Sequence, residues 1–171
     1  MGGNNAKVTE RKETSMCLKG KSEMKRCKVQ IKKLNEHAIV PTNGSEKAAG
    51  HDLYACIDGV VLVIPAGQTV KIGTGIAVAI PDGYFGAIYA RSGLATKSGL
   101  RPANCVGVVD SDYRGEVIVA LRNDSNEIRY VENGERIAQL VVTPYLPIDL
   151  YEVDELDETT RGTGGFGSTG K

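Results

Sequence analysis

The chain has little that would tie it to a metal, a membrane or a polyanion. Tryptophan is absent, and phenylalanine and histidine each occur twice in 171 residues. The four cysteines, Cys17, Cys27, Cys56 and Cys105, contain no C-x-x-C pair, and only His37 and His51 could help them. That set does not make a structural zinc site. The thiols read as reduced, which places the protein inside a cell, in the cytoplasm or, in a eukaryote, also the nucleus. No apolar run approaches the ~18 residues of a membrane helix, and no signal-peptide core lies near the start. Lys plus Arg number 21 and Asp plus Glu number 21, so the formal charge is zero. Nucleic-acid coats and acidic-tail proteins need a large field of one sign, which is missing here. Internal repeats are absent. So is the strand–helix alternation of a doubly wound nucleotide-binding sheet.

What remains is a soluble globular composition, 41% apolar and 25% charged, long enough for one domain with its own core. Residues 1–26 stand apart. Lys7, Arg11, Lys12, Lys19, Lys21, Lys25 and Arg26 outnumber Glu10, Glu13 and Glu23, and aliphatic residues are few. Such a segment cannot bury enough surface to fold, so it is expected to be a disordered basic leader. Met1-Gly2 suggests myristoylation, but Ala6 stands where Ser or Thr is wanted.

The body reads as short strands. Val29 and Ile31 alternate with polar residues, and Val60–Ile64 is a continuous apolar run closed by the turn Pro65-Ala66-Gly67. Val70 with Ile72, Ile76–Ile80, Tyr84–Ala90, Val106–Val109, Val117–Leu121 and Ile137–Val142 follow. Each suits a half-buried pleated surface. Turn signals recur every ~8–12 residues, the spacing of a sandwich or barrel. Only Ser92–Ser98 reads as a helix, with Ser92 placed to cap it.

The Gly-rich end spells two misleading patterns. Gly162, Gly164 and Gly167 match the dinucleotide fingerprint, and Gly165, Gly170 and Lys171 nearly match a P-loop. Both motifs need a helix after the glycines, and here the sequence ends. Successive glycines still favour an anion-accepting nest, with Arg161 and Lys171 supplying charge and Ser168 and Thr169 hydroxyls. Phe166 has no packing partners among its neighbours, so it reads as kept for an aromatic contact elsewhere. Three further clusters stand out. Asp52 is read at a turn entering a strand. Arg91-Ser92-Gly93 is a phosphate seat at a helix start. Gly107-Val108-Val109-Asp110-Ser111-Asp112-Tyr113 is a strand running into an acidic hairpin tip. Each has a plain alternative: an ordinary turn, a helix cap, a solvated β-turn.

Taken in order, these clusters resemble the trimeric all-β dUTP diphosphatases. Five motifs carry the resemblance: Ala49–Ala55, Arg91–Ala95, Gly107–Glu116, Gly134–Leu140 and Arg161–Gly170. Ala90 departs from the family's usual proline, and His51 stands at a variable position. The resemblance implies a distorted jelly-roll β-barrel or sandwich spanning residues 27–153, with one short helix. It implies a flexible Gly-rich arm over 154–171 and a homotrimer with shared sites.

The implied reaction is Mg²⁺-dependent hydrolysis of dUTP to dUMP and pyrophosphate, which keeps uracil out of DNA and supplies dUMP for thymidylate synthesis. Asp110 would activate the water that attacks the α-phosphorus. Asp52 would hold the hydrated Mg²⁺ through water, with the ion kept mainly by the substrate phosphates. Gln139 would fix the nucleophile. Arg91, Ser92 and Gly93 would bind phosphates. Asn104 and the backbone of Gly107, Val108 and Val109 would read uracil, and Tyr113 would exclude a 2′-hydroxyl. Arg161, Phe166, Gly167 and Ser168 would close over the nucleotide from the arm. Neither nucleic acid nor membrane is implied as a partner; a regulatory protein is left open. A dCTP deaminase of related fold, a nucleotide-gated binding protein and a purely structural β-trimer are the rival readings. The intact hairpin and arm favour the diphosphatase.

Overall fold

A computed structural model describes residues 27–167. Within them the chain forms β1 (Gln30–Lys33), β2 (Thr42–Asn43), β3 (His51–Tyr54), β4 (Val61–Ile64), β5 (Thr69–Ala79) and β6 (Tyr84–Tyr89). The helix α1 (Ser92–Ser98) follows, then β7 (Leu100–Pro102), β8 (Gly107–Val109), β9 (Glu116–Asn123), β10 (Arg129–Glu132) and β11 (Arg136–Pro144). The leader 1–26 lies outside the described residues. No helix among those described is long and apolar enough to cross a membrane.

All pairing is antiparallel. One sheet runs β1-β5-β9-β7, a second runs β2-β3-β11-β6-β8, and β10 pairs with β4 as a ribbon. This is the expected all-β distorted jelly roll with one short helix. β9 shows why the sheets stack. Its residues alternate, with Val117, Val119, Leu121 and Asn123 buried and Ile118 exposed. Val117, Val119 and Leu121 join Leu53, Ile64, Ile72, Val131 and Ile137 in one core. Each fully buried aliphatic side chain contributes about 1.5–3 kcal/mol by leaving water. Asn123 is a polar exception, fully buried yet satisfied: its amide nitrogen donates to the Ile64 and Glu127 carbonyls at 2.9 and 2.7 Å.

Several local readings change. The two runs at Val70 and Ile76 form one strand, β5, because Gly73–Ala77 bulges within the ladder instead of ending it. β1 is exposed along its whole length rather than half-buried, since it pairs on one side only, with β5. Ser92 does not cap α1. Arg91 occupies the cap position in an extended conformation with no side-chain bond, and Ser92 lies inside the first turn. Asp52 lies within β3, not at a turn. Asp110–Gly115 does not join two paired strands: β8 pairs with β6, and β9 with β5 and β7, so the segment crosses between sheets.

Candidate functional site

Asp52 and Gln139 face each other across the β3–β11 ladder, and Gln139 also pairs with Tyr89 of β6. The Asp52 side chain is only 13% exposed. Two guanidinium groups hold it: Arg91 Nε donates to Oδ1 at 2.9 Å, and Arg136 Nη1 to Oδ2 at 3.2 Å. Arg91 Nη1 also donates to the Arg136 carbonyl at 3.3 Å. A carboxylate so far from water needs charged donors of this kind. Gln139 Nε2 donates to the Ala90 carbonyl at 2.9 Å, tying down the segment that enters α1. Gly50 makes room for that glutamine, since a Cβ there would lie 2.7 Å from Gln139 Oε1. Asp52, Arg91 and Gln139 thus form one cluster, with Ser92 and Gly93 exposed beside it in the first turn of α1.

Arg136 had no role assigned from the sequence. Its register explains why. β11 carries a bulge between Arg136 and Ala138, two steps against one on β3. No period-2 pattern foretells which side chain such a bulge aims at a neighbour.

A second group converges elsewhere. Asn104, Gly107, Val108, Val109, Asp110 and Tyr113 line one cavity of about 190 Å³. After Asn104 the chain turns through Cys105, whose φ of 61° is unusual for a side chain with a Cβ. Beyond β8, the Tyr113 N–H donates to the Asp110 carbonyl at 3.2 Å, closing a turn that leaves the Asp110 side chain exposed. No described residue donates a hydrogen bond to that carboxylate. The Tyr113 hydroxyl donates to the Glu116 carbonyl at 3.0 Å. This folds the ring over Gly115, where an added Cβ would lie 2.5 Å from the phenol oxygen. A larger hollow of about 1130 Å³ lies beside β1. It takes in His51 and Arg114 but none of the expected site residues, so its size carries no weight for the chemistry.

Asp52, Arg91 and Gln139 do not line the 190 Å³ cavity. Nor does the C-terminal segment. Arg161 Nε donates to the Gly164 carbonyl at 2.8 Å, and the Gly162 and Gly164 N–H groups donate to the Thr159 and Arg161 carbonyls at 3.0 and 3.1 Å. Among the described residues, all hydrogen bonds of 154–167 stay within the segment. Phe166 has φ 49° and a ring open to solvent, and Gly167 has φ 90°. Ser168 lies outside the described residues. No cluster of three or more His, Cys, Asp or Glu side chains able to hold a metal occurs among them.

Comparison with known proteins gives one answer. The family profile described as dUTPase matches residues 36–170. The chain is similar to the deoxyuridine 5'-triphosphate nucleotidohydrolase of Nautilia profundicola, 48% identical over 144 residues, 84% of this chain and 99% of that one. It is 46% identical to the Arabidopsis thaliana protein of the same name over 141 residues, 82% of each chain. Among solved structures it resembles a mutant dUTPase of Staphylococcus bacteriophage 80alpha with dUpNHpp. There the TM-score is 0.75 and the identity 28%, covering 84% of this chain and 99% of that one.

Proposed function

The chain belongs to the dUTPase family, and from that premise we propose how its own residues hydrolyse dUTP to dUMP and pyrophosphate. The observation that carries the assignment of roles is the convergence of Asn104, Gly107–Asp110 and Tyr113 on one cavity. A strand end whose backbone faces a small cavity suits a planar base with alternating acceptor, donor and acceptor. Backbone groups of Gly107, Val108 and Val109 and the Asn104 amide read uracil, and the close wall leaves no room for the thymine methyl. Tyr113 packs against the deoxyribose and excludes a 2′-hydroxyl by contact, which discriminates against the wrong sugar directly.

Asp110 is the general base. Its carboxylate is exposed at the cavity and accepts no hydrogen bond from a described residue, so it is free to take a proton from water. The water attacks the α-phosphorus and pyrophosphate leaves. A positioned base of this kind is worth about 10²–10⁴-fold in rate. Arg91, Ser92 and Gly93 neutralise and orient the phosphates, and Gln139 places the nucleophile. The arm supplies Arg161 as a closing cation, Phe166 as a ring stacked on uracil, and Gly167 with Ser168 as phosphate donors.

Magnesium fits this donor set only at a distance. Both Asp52 oxygens already accept arginine bonds, yet a carboxylate has about four acceptor sites, so one remains free on each for a metal-bound water. The ion, chelated mainly by the three phosphates, would neutralise their charge.

The site is shared in a homotrimer. Two observations support this: the Asp52 cluster does not line the base cavity, and Leu146, Ile148, Leu150 and Tyr151 are exposed in the segment before the arm. Residues 27–153 are the body and 154–171 the arm. The product serves thymidylate synthesis, and removing dUTP keeps uracil from DNA. An intracellular setting fits the free thiols of Cys27, Cys56 and Cys105.

The test is pyrophosphate release with Mg²⁺ from dUTP, dTTP, dCTP and UTP side by side. Release from dUTP alone is expected. Equal release from dTTP or UTP would overturn the base or sugar assignment, and none from dUTP would overturn the reaction.

A further inference from the structure

β5 and β9 run in register from Thr69↔Arg122 to Gly73↔Ile118, then resume at Ala77↔Glu116. Four steps along β5 therefore match two along β9, and the surplus forms a bulge at Thr74–Ile76. The bulge is anchored on several sides. Cys56 N–H donates to the Gly73 carbonyl at 2.8 Å, Leu34 N–H to the Gly75 carbonyl at 2.7 Å, and buried Thr74 Oγ1 to the Val117 carbonyl at 2.6 Å. Into it reaches Glu116, whose Oε1 accepts the Gly75 N–H at 2.7 Å. The fit is close: a Cβ on Gly73 would stand 2.5 Å from that same oxygen. Burial, then the charges of Glu116 and Asp58, push the neighbouring Cys56 thiol up.

Glu116 has a second contact of a different kind. Its main-chain carbonyl accepts the Tyr113 hydroxyl at 3.0 Å, and Glu116 is among the residues around the cavity that Tyr113 lines. One residue is thus fixed at its carboxylate to the anchored bulge and holds at its carbonyl the hydroxyl of a tyrosine that is 44% exposed. An exposed tyrosine ring has rotamer freedom unless something removes it.

We propose that Glu116 is a positioning residue for sugar selection: tied to the β5 bulge, it fixes the carbonyl that holds the Tyr113 ring against the site of the 2′-carbon. The proposal rests on the reading of Tyr113 as the sugar gate. Glu116 touches neither substrate nor water in this role. Its removal loosens discrimination without slowing the chemical step.

The experiment compares kcat and KM for dUTP and UTP in the intact protein carrying Tyr113→Phe, Glu116→Ala, Glu116→Gln or Tyr113→Ala. Tyr113→Phe deletes the phenol bond and leaves Glu116 in place. It should lower the dUTP-over-UTP ratio in kcat/KM by about five- to tenfold, the size of one lost hydrogen bond. Glu116→Ala should lower the ratio by a similar factor with kcat for dUTP nearly unchanged. Glu116→Gln keeps an acceptor for the Gly75 N–H and should restore the ratio. Full selectivity in Tyr113→Phe, or a glutamine variant no better than alanine, would overturn the proposal. Should Glu116→Ala fail to fold, the phenylalanine and glutamine variants still decide it. Failure of the underlying reading looks different: Tyr113→Ala would then leave selectivity unchanged.

Discussion

Asp52 and Phe166 mark the two extremes of constraint in this molecule. Asp52 sits in a central strand, with paired neighbours on both sides and a guanidinium on each carboxylate oxygen. Phe166 sits in a segment whose hydrogen bonds, among the described residues, close on itself, and Phe166 is open to solvent. The first kind of residue loses its freedom on folding. Under the proposed closure of the arm, the second would keep it until the nucleotide binds, and its ordering would then cost about 1–2 kcal/mol of backbone entropy per fixed residue. A site assembled from both kinds is preorganised where charge must be held and adaptable where the substrate must enter and leave.

Removing residues 159–171 is the most severe way to break this contrast. It deletes Arg161 and Phe166, and the rate on dUTP should fall by about 10³-fold or more, the scale of a lost closing arginine. Thermal unfolding should hardly move. A truncated chain that kept full activity would show that the body alone suffices. Next in size, Asp110→Asn should cost about 10²–10⁴-fold in kcat while dUTP still binds in a calorimeter. Normal turnover would remove Asp110 from the role of base.

The paired substitutions Leu121→Ala and Phe166→Ala sharpen the contrast within one assay. Leu121 is fully buried, so truncation should lower stability by about 2–5 kcal/mol. Phe166→Ala should leave stability within about 0.5 kcal/mol yet weaken dUTP binding, because stacking on a base is worth about 1–3 kcal/mol. Equal stability losses in urea titrations would mean the arm packs on the body after all.

The smallest effect concerns a body residue outside the site. Partial burial alone would raise the Asp124 pKa, but hydrogen bonds from Arg122 and Arg101 outweigh it and hold the carboxyl below its ordinary 3.8. Its stabilisation is present above that value and is lost as pH falls through the lowered pKa. Asp124→Asn should therefore be less stable than the parent at neutral pH. The gap should close in acid, and a gap that grew there would reverse the sign.

Much of the body was legible in its sequence. Val61–Ile64, Tyr84–Tyr89 and the helix Ser92–Ser98 appear where local residue types put them, because β-branched runs and turn residues act over a few positions. The grouping of Asn104, Gly107–Asp110 and Tyr113 follows from their closeness in the chain. The Asp52–Arg136 bond spans 84 positions and depends on a bulge, so no local signal marked it. The same holds for Glu116, whose place in the bulge opposite Gly73 and Gly75 makes it more than one more acid on a turn.

The sequence alone determined the short-strand character, the Gly-rich end and the five ordered motifs, since propensity, turn chemistry and motif order are properties of neighbours along the chain. Only the tertiary structure decided that β8 and β9 belong to different sheets, that Arg91 rather than Ser92 stands at the helix cap, and that two arginines share Asp52. Those outcomes depend on long-range pairing, where burial and hydrogen-bond satisfaction across distant segments outweigh any local preference.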